Sequence, residues 1–474
     1  MYHRIISLFY IVAAGLIISS CNFTPKYNRD TSLIAPKKEY ENALQKKLSV
    51  SELTNWWDKL GDPLTSRLAK TLIKQNLTLQ EASERVIQAN EAAGVKNAAL
   101  VPSLILENGA SRGFAPMQSS IDGSKKRVFA NNYSTDLGVS WQIDLFGKLR
   151  SAKNAAKANA LATEYDLQGI THTLITELVK RRVSIYLNNK LLQLAQENTK
   201  NTEKLYVSTK KRYELGVRNT KLSDMYLAKG NYEASKKDIY QFRKLIADDM
   251  YKLDVLLGQT PGTIKKTSLI RQIQSPKNIN ISGVPLQLLD RRPDLKSSEL
   301  KIVAANANIG IAIADLFPDL LINAGVGYNS SQANNLFVSE NMSGSILGKI
   351  TTRIFAGGAL RSNIKIKKSK AKELSISYAN KILSAIQEVE SNLKSDNENM
   401  LEHKSQKSAL KLFELTEKHS NTRYIRGVLS LNRLLETRAR TYNSHKLFIE
   451  SERKLWQSRL SLYLSLGGDG LGKK

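Results

Sequence analysis

From Tyr133 to Asp144 apolar and polar residues alternate without a break. Tyr133, Thr135, Leu137, Val139, Trp141 and Ile143 fall on one face, and Ser134, Asp136, Gly138, Ser140, Gln142 and Asp144 on the other. A period of two predicts a β-strand. The pattern returns in Leu320, Ile322, Ala324, Val326 and Tyr328 set against Asp319, Asn323, Gly325, Gly327 and Asn329, with Leu321 as the exception. Four strands are predicted, at about Ser103–Gly113, Asn131–Leu145, Asp319–Ser330 and Ser343–Phe355, paired through polar loops of which the first holds Gly123-Ser124-Lys125-Lys126-Arg127. Strands of ~10 residues that are apolar on one side fit the wall of a membrane barrel or a half-buried soluble sheet. Four strands cannot close a barrel, whose minimum is about eight, and an open edge in lipid is prohibitive. If these strands face lipid, several chains must share one barrel.

The remainder has helical spacing. No proline interrupts Leu145 to Thr260 or Asp319 to Lys474, so both tracts can hold long helices. Leu167 and Leu174 lie seven apart, as do Leu178, Ile185 and Leu192, which is coiled-coil spacing. Between each predicted hairpin and a glycine, Gly216 or Gly427, runs a helical stretch of roughly 65 residues, about 100 Å at the α-helical rise. Each long helix is predicted to turn at its glycine and return through a shorter one, ending at Leu256-Leu257-Gly258 or Leu466-Gly467-Gly468. The expected fold is mainly α, an elongated antiparallel helical body joined to a small strand region.

The two halves repeat each other. At a constant shift of 216, Leu79, Ala89, Asn90, Gly94, Ala98, Leu100, Pro102, Leu104 and Gly109 meet identical residues from Leu295 to Gly325. At a shift of 211, Gly147-Lys-Leu-Arg-Ser151 meets Gly358-Ala-Leu-Arg-Ser362, and Arg212-Tyr213-x-x-Gly216-Val217 meets Arg423-Tyr424-x-x-Gly427-Val428. Three blocks in one order make the chain a tandem duplication of a unit of roughly two hundred residues.

The N-terminus is an address. His3 and Arg4 precede an apolar run from Ile5 to Ile18, shorter than a membrane-spanning helix needs, and Ser19-Ser20 precede the only cysteine, Cys21. The pattern resembles a bacterial lipobox. That resemblance makes Cys21 the lipid-bearing mature N-terminus, and Asn22 in place of aspartate points to the outer membrane. The expected organisation is a signal peptide at 1–20, a lipid-anchored segment at 21–54 and two repeats at 55–283 and 284–474, with strands at about 103–145 and 319–355 and helical hairpins at about 147–258 and 357–466.

Composition narrows the function. Lys and Arg number 71 against 43 Asp and Glu, a net charge of +28, a field that favours acidic or anionic partners. A nucleic-acid-binding coiled coil would use that charge but leaves the signal, the cysteine and the alternating strands unexplained, so no nucleic acid is expected. With one cysteine and five scattered histidines, no zinc spacing or Cys-His nucleophile can be assembled. Phosphate-binding glycine loops are absent. Neither enzymatic activity nor a cofactor or metal is expected.

Trp56-Trp57-Asp58-Lys59-Leu60-Gly61-Asp62-Pro63-Leu64, Trp141-Gln142-Ile143-Asp144-Leu145-Phe146-Gly147, Leu288-Leu289-Asp290-Arg291-Arg292-Pro293-Asp294-Leu295 and the two R-Y-x-x-G-V turns resemble the TolC family of outer-membrane efflux channels, in its lipid-anchored, NodT-like branch. The resemblance implies a homotrimer whose chains each give four strands to a twelve-stranded barrel, continuous with a periplasmic tunnel of twelve helices. It implies a passive exit duct for drugs or other small molecules, fed by an inner-membrane pump of RND type and a periplasmic adaptor; a duct for type I protein secretion is the alternative. In such channels the hairpin tips close the periplasmic end, which by position makes Arg218, Lys221, Asp224, Tyr424, Arg433 and Glu436 the expected aperture around Gly216 and Gly427. Arg433 departs from the more acidic pattern of related channels, so a simple carboxylate ring is not implied. Arg291-Arg292-Pro293-Asp294 reads as a helix start, Trp56 and Trp57 as packing residues, and His172 as a surface or interhelical residue.

Overall fold

The structure is a computed structural model that describes residues 23–25, 27–29, 56–118, 125–217, 220–265, 269, 273 and 290–467. Cys21, the signal segment, Arg218 and the Leu288-Leu289 pair lie outside the described residues. The helices are α1 Pro63–Gln75, α2 Leu77–Ala98, α3 Lys148–Glu214, α4 Leu222–Leu256, α5 Pro293–Ala314, α6 Ala359–Ile425 and α7 Leu431–Ser465; the strands are β1 Ser103–Gln118, β2 Lys125–Ile143, β3 Asp319–Ser330 and β4 Met342–Thr351. The duplication is plain in the lengths. Helices α2 and α5 have 22 residues each, α3 and α6 have 67, and α4 and α7 have 35. No helix among the described residues is long and apolar enough to cross a membrane.

The chain divides into two compact units, described separately. The first comprises residues 1–30, 85–163 and 297–378 and holds the sheet; the second comprises 31–84, 164–296 and 379–474. The sheet is antiparallel in the order β1-β2-β3-β4. Its register sets Leu106 beside Leu137 and Val326, Leu104 beside Val139, Ala324 and Ile346, Trp141 beside Ile322, and Ile143 beside Leu320 and Ile350. One face is therefore apolar across all four strands. The other carries Glu107 opposite Asp136 and Ser140 opposite Asn323, with Gly138, Gly325 and Gly327 among them. A side chain at Gly327 would strike the Asp136 carboxylate and the Thr135 carbonyl.

The first hairpin is longer than its alternation suggests, and Lys125, Lys126 and Arg127, expected in a loop, belong to β2. The ladder continues because Phe114 pairs with Phe129, their rings 5.7 Å apart, with Arg112 over Phe129 and Arg127 over Phe114 at 5.4 Å. Such cross-strand pairs extend a sheet without an alternating core face. Strand β4 stops earlier than expected, at Thr351, leaving Ile354 and Phe355 beyond it. Thr351 pairs with Asp319, and Pro318 before it has no N–H to give, so the ladder has no further partner.

The core of the second unit gathers Trp56 and Trp57 from a 3₁₀ turn, Ala69 and Leu72 from α1, Ile175 to Ala195 from α3, Phe242, Ile246 and Leu253 from α4, and Trp456 and Leu460 from α7. The Trp56 ring stacks on Tyr463 at 4.7 Å. Polar locks tie the helices together: Asp249 accepts from Arg181 at 2.9 Å and Ser184 at 2.6 Å, and Arg453 reaches Ser184 at 3.0 Å and Asn188 at 2.7 Å.

Candidate functional site

The R-Y-x-x-G-V blocks are helix ends. At the end of α3 the Val217 N–H donates to the Arg212 carbonyl at 3.0 Å and the Gly216 N–H to that of Tyr213 at 3.0 Å, with Gly216 at φ 61°. At the end of α6 Val428 bonds Arg423 at 3.0 Å and Gly427 bonds Tyr424 at 2.9 Å, with Gly427 at φ 77°. This is the Schellman pattern, and only glycine takes that left-handed φ without strain. The turns reverse the chain and form the tips of the two helical hairpins.

Around the tips Leu205, Ala228, Leu431 and Leu434 pack together, with Tyr424 half-buried against them. The Arg212 guanidinium sits 5.4 Å over the Tyr424 ring, a contact between the two repeats. Lys221 is exposed, and its backbone N–H donates to Asp224 at 2.9 Å, so the Asp224 carboxylate closes the first turn of α4. At the start of α7 the N-cap Ser430 accepts from the Arg433 N–H at 3.4 Å. Glu436 is held from both sides of its own helix, by Arg433 at 2.7 Å and Arg440 at 2.9 Å. These hydrogen bonds and the two positive charges keep its carboxyl below the usual range. Arg433, Glu436 and Arg440 are exposed. The structure thus brings Tyr424 to an inter-repeat contact and Arg433 to Glu436, while Lys221 and Asp224 engage each other locally.

The other blocks build junctions. Asp62 caps α1, accepting from the Leu64 N–H at 3.2 Å and the Thr65 hydroxyl at 2.7 Å, with Pro63 in the first turn. It also lies 3.4 Å from Arg182, whose side chain is fully buried and donates to the Leu269 carbonyl at 2.6 Å. Asp144 caps α3 through the N–H groups of Leu149 and Arg150 at 3.1 and 2.9 Å, and Phe146 stacks on Phe317 at 4.9 Å. Lys148 bridges Asp315 at 2.8 Å and Asp319 at 3.4 Å. At the start of α5, Arg292 pairs with Asp294 at 2.9 Å and Glu388 at 2.7 Å and donates to the Ser465 carbonyl at 3.3 Å. Burial pushes the Asp294 carboxyl up, but Arg292 outweighs it and holds it below the usual range. His172, buried rather than at the surface, lines a cavity of about 770 Å³ with Tyr165, Leu174, Pro293 and Leu464.

Sequence reasoning missed one feature of the first unit. Phe23 stacks on Phe317 at 4.7 Å, Thr24 reaches Ser151 at 2.9 Å, and Tyr27 and Arg29 bind Glu299 at 3.2 and 2.7 Å. A Cβ on Gly310 would come within 2.5 Å of the Thr24 hydroxyl, whereas at Gly94, its partner in the repeat, the nearest atom lies 3.8 Å away. An invariant-looking glycine pair thus hides an asymmetry, for which the only signal is the pair Phe23 and Thr24 so close to Cys21.

The chain matches the outer membrane efflux protein family over residues 68–259 and again over 284–468, and it belongs to that family. Among relatives, it is 24% identical to the probable outer membrane lipoprotein SilC of Salmonella typhimurium over 463 residues, 96% of this chain and 97% of the relative. It is 25% identical to the toluene efflux pump outer membrane protein TtgC of Pseudomonas putida, covering 98% of this chain and 95% of that one. The fold is that of the outer-membrane channel OprN, with a TM-score of 0.84 at 23% identity over 94% of this chain and 99% of the other. The CmeC outer membrane channel of Campylobacter jejuni superposes with a TM-score of 0.83 at 20% identity, over 94% and 95%. The protein is an outer-membrane efflux protein with a TolC-like fold.

Proposed function

We propose that three copies of this chain form one exit duct, each giving four strands to a shared barrel and its long hairpins to a periplasmic tunnel. The sheet carries this reading. Its apolar face suits lipid, yet among the described residues β1 and β4 present unpaired edges, which lipid does not tolerate. An even number of antiparallel strands lets β4 of one copy meet β1 of the next with the alternation unbroken, and three copies give twelve strands. The duct is passive and performs no chemistry. An inner-membrane pump of RND type and a periplasmic adaptor supply energy and cargo, and Cys21 carries lipid.

The cargo is drugs or other small molecules, a reading supported by TtgC, which is named for toluene efflux. The tip residues Arg218, Lys221, Asp224, Tyr424, Arg433 and Glu436 form the periplasmic aperture; the Arg212–Tyr424 contact between repeats and the Arg433–Glu436 pair support this. The two family segments, 68–259 and 284–468, support two repeats, which we set at 55–283 and 284–474 after a signal at 1–20 and an anchored segment at 21–54.

Susceptibility to antibiotics and dyes tests the reading, in a strain lacking the gene and complemented with the wild type or with Cys21→Ser. Hypersensitivity rescued by the wild type is expected. Unchanged susceptibility to every compound tested sinks small-molecule efflux and moves the cargo to protein, and full rescue by Cys21→Ser removes the need for lipid.

A further inference from the structure

Within the first unit, Arg361, Lys365, Lys368 and Lys372 on α6 carry four positive charges on one line. At about 100° per residue they fall within roughly 60° of the helix circumference. Arg361, Lys365, Lys368 and Lys372 are exposed, and among the described residues none of the four has an ion pair. Lys370, off the line, is paired with Glu373 at 2.7 Å. The stripe begins at Arg361, ten residues past the end of β4 and six past Phe355; Ile354 and Phe355 are 97% and 90% exposed.

Helical phase gives the stripe a direction. On α5, which runs towards the strands, Glu299 and Gly310 face the Phe23–Arg29 segment. Ala305 and Ile309, about a quarter-turn away, pack against Ala371 of α6. Helix α6 runs the opposite way, so the stripe, about a quarter-turn from Ala371 in the matching sense, looks to the same side as the Phe23–Arg29 segment. That segment follows Cys21 by two residues and meets the chain beside Phe317. In addition, side chains tilt towards the N-terminus of their helix, which for α6 is the strand end.

We propose that this stripe binds the phosphate groups of anionic phospholipids in the periplasmic leaflet of the outer membrane. The proposal rests on the exit-duct reading, which sets the strands in the bilayer and α6 beneath it. Exposed apolar residues mark the interface, and a run of cations immediately beyond a membrane segment holds anionic headgroups. The stripe runs away from the bilayer over about 16 Å, so the contributions are graded: Arg361 and Lys365 lie at headgroup depth, whereas Lys372 lies beyond about one Debye length. The first repeat has Arg150, Asn154, Lys157 and Leu161 at the same positions and lacks the stripe.

The test reconstitutes the full protein in phosphatidylcholine vesicles containing a fifth spin-labelled phosphatidylglycerol, and compares it with the labelled phosphatidylcholine control. Wild type should select phosphatidylglycerol, less so in 0.5 M salt. Arg361→Gln or Lys365→Gln should each weaken selection by up to roughly fivefold, the worth of one cation near the surface. Lys372→Gln should change it less than about twofold, and Lys365→Arg should preserve it. Equal selection by wild type and the quadruple glutamine variant overturns the proposal, as does a quadruple variant that shifts the cation-to-anion permeability ratio and leaves lipid selection alone, which puts the stripe in the duct. Ion conductance of the same vesicles reports on the duct separately: conducting protein with unchanged lipid selection refutes the stripe only, and selection lost in the variant without any conductance in wild type refutes the duct only.

Discussion

The two repeats solve one junction with different residues. Where α4 ends against the start of α2, the Asn76 amide donates to the Leu256 carbonyl at 2.8 Å while its oxygen caps the helix through the Leu79 N–H at 2.9 Å. At the equivalent place in the second repeat Arg292 donates to the Ser465 carbonyl and adds ion pairs to Asp294 and Glu388. The glycine closing each return helix keeps its role: a Cβ on Gly258 would fall on the Gln75 carbonyl, and one on Gly467 would come within 3.0 Å of the Arg291 carbonyl. Duplication preserved the backbone approach and left the polar bridge free to change, because a carbonyl accepts equally from an amide or a guanidinium.

The tips diverge further. From Gly216 to the start of α4 the chain uses five intervening residues, and from Gly427 to α7 three. At the same depth in the return helix the first repeat has Asp224 and the second has Arg433. A carboxylate there suits the positive end of the helix, and a guanidinium does not. Glu436, one turn on, offsets it. Helices of equal length therefore carry opposite charges at this one position of their first turn.

The junction comparison breaks most sharply at the glycines. Gly258→Ala combines a left-handed φ of 70° with a collision against backbone, and should cost about 3 kcal/mol in chemical denaturation. Gly467→Ala, with a looser approach, should cost roughly half as much; equal losses would end the distinction. Arg292→Ala should fall between the two glycine variants with a loss of about 2 kcal/mol, and Asn76→Ala should lose about 1, in keeping with charged and neutral bridges. These two should also separate in acid. The folded-state pKa of Asp294 is depressed, so its contribution is complete above the unfolded value near about 4 and fades as pH falls through the folded one. The Arg292→Ala variant should therefore lose less stability on acidification than wild type, whereas Asn76→Ala should follow wild type.

At the tips, Arg433→Ala with Glu436→Ala should raise conductance in planar bilayers; unchanged conductance would remove both from the aperture. Glu436 stays charged throughout the neutral range because its pKa is lowered, so conductance should be flat across neutral pH and rise only in acid below the ordinary glutamate range. The smallest effect is expected at Asp224→Asn, a loss of at most about 0.5 kcal/mol, since the amide keeps the cap and forfeits only the charge. Arg433→Asp should act in the opposite sense on α7 unless Glu436 repels the new carboxylate, and thermal melting of the two variants together would decide between them.

Local rules wrote much of this into the sequence. Period-two alternation placed the strands, the proline-free tracts and heptads allowed helices of 67 residues, and the glycines marked their ends. The repeat fixed the order of elements. Each of these depends on neighbours in sequence. Long-range choices left no comparable trace. That Lys125 to Arg127 belong to a strand depended on cross-strand rings, and that β4 ends at Thr351 on the proline just before β3. The seating of Thr24 on Gly310, the placing of Arg182 beside Asp62 and the alignment of a cation stripe with the Phe23–Arg29 segment arise between residues far apart in the chain. Periodicity reports which face of an element is apolar; only packing decides what that face meets, because the partner is chosen by shape and hydrogen bonding across distances that no local pattern encodes.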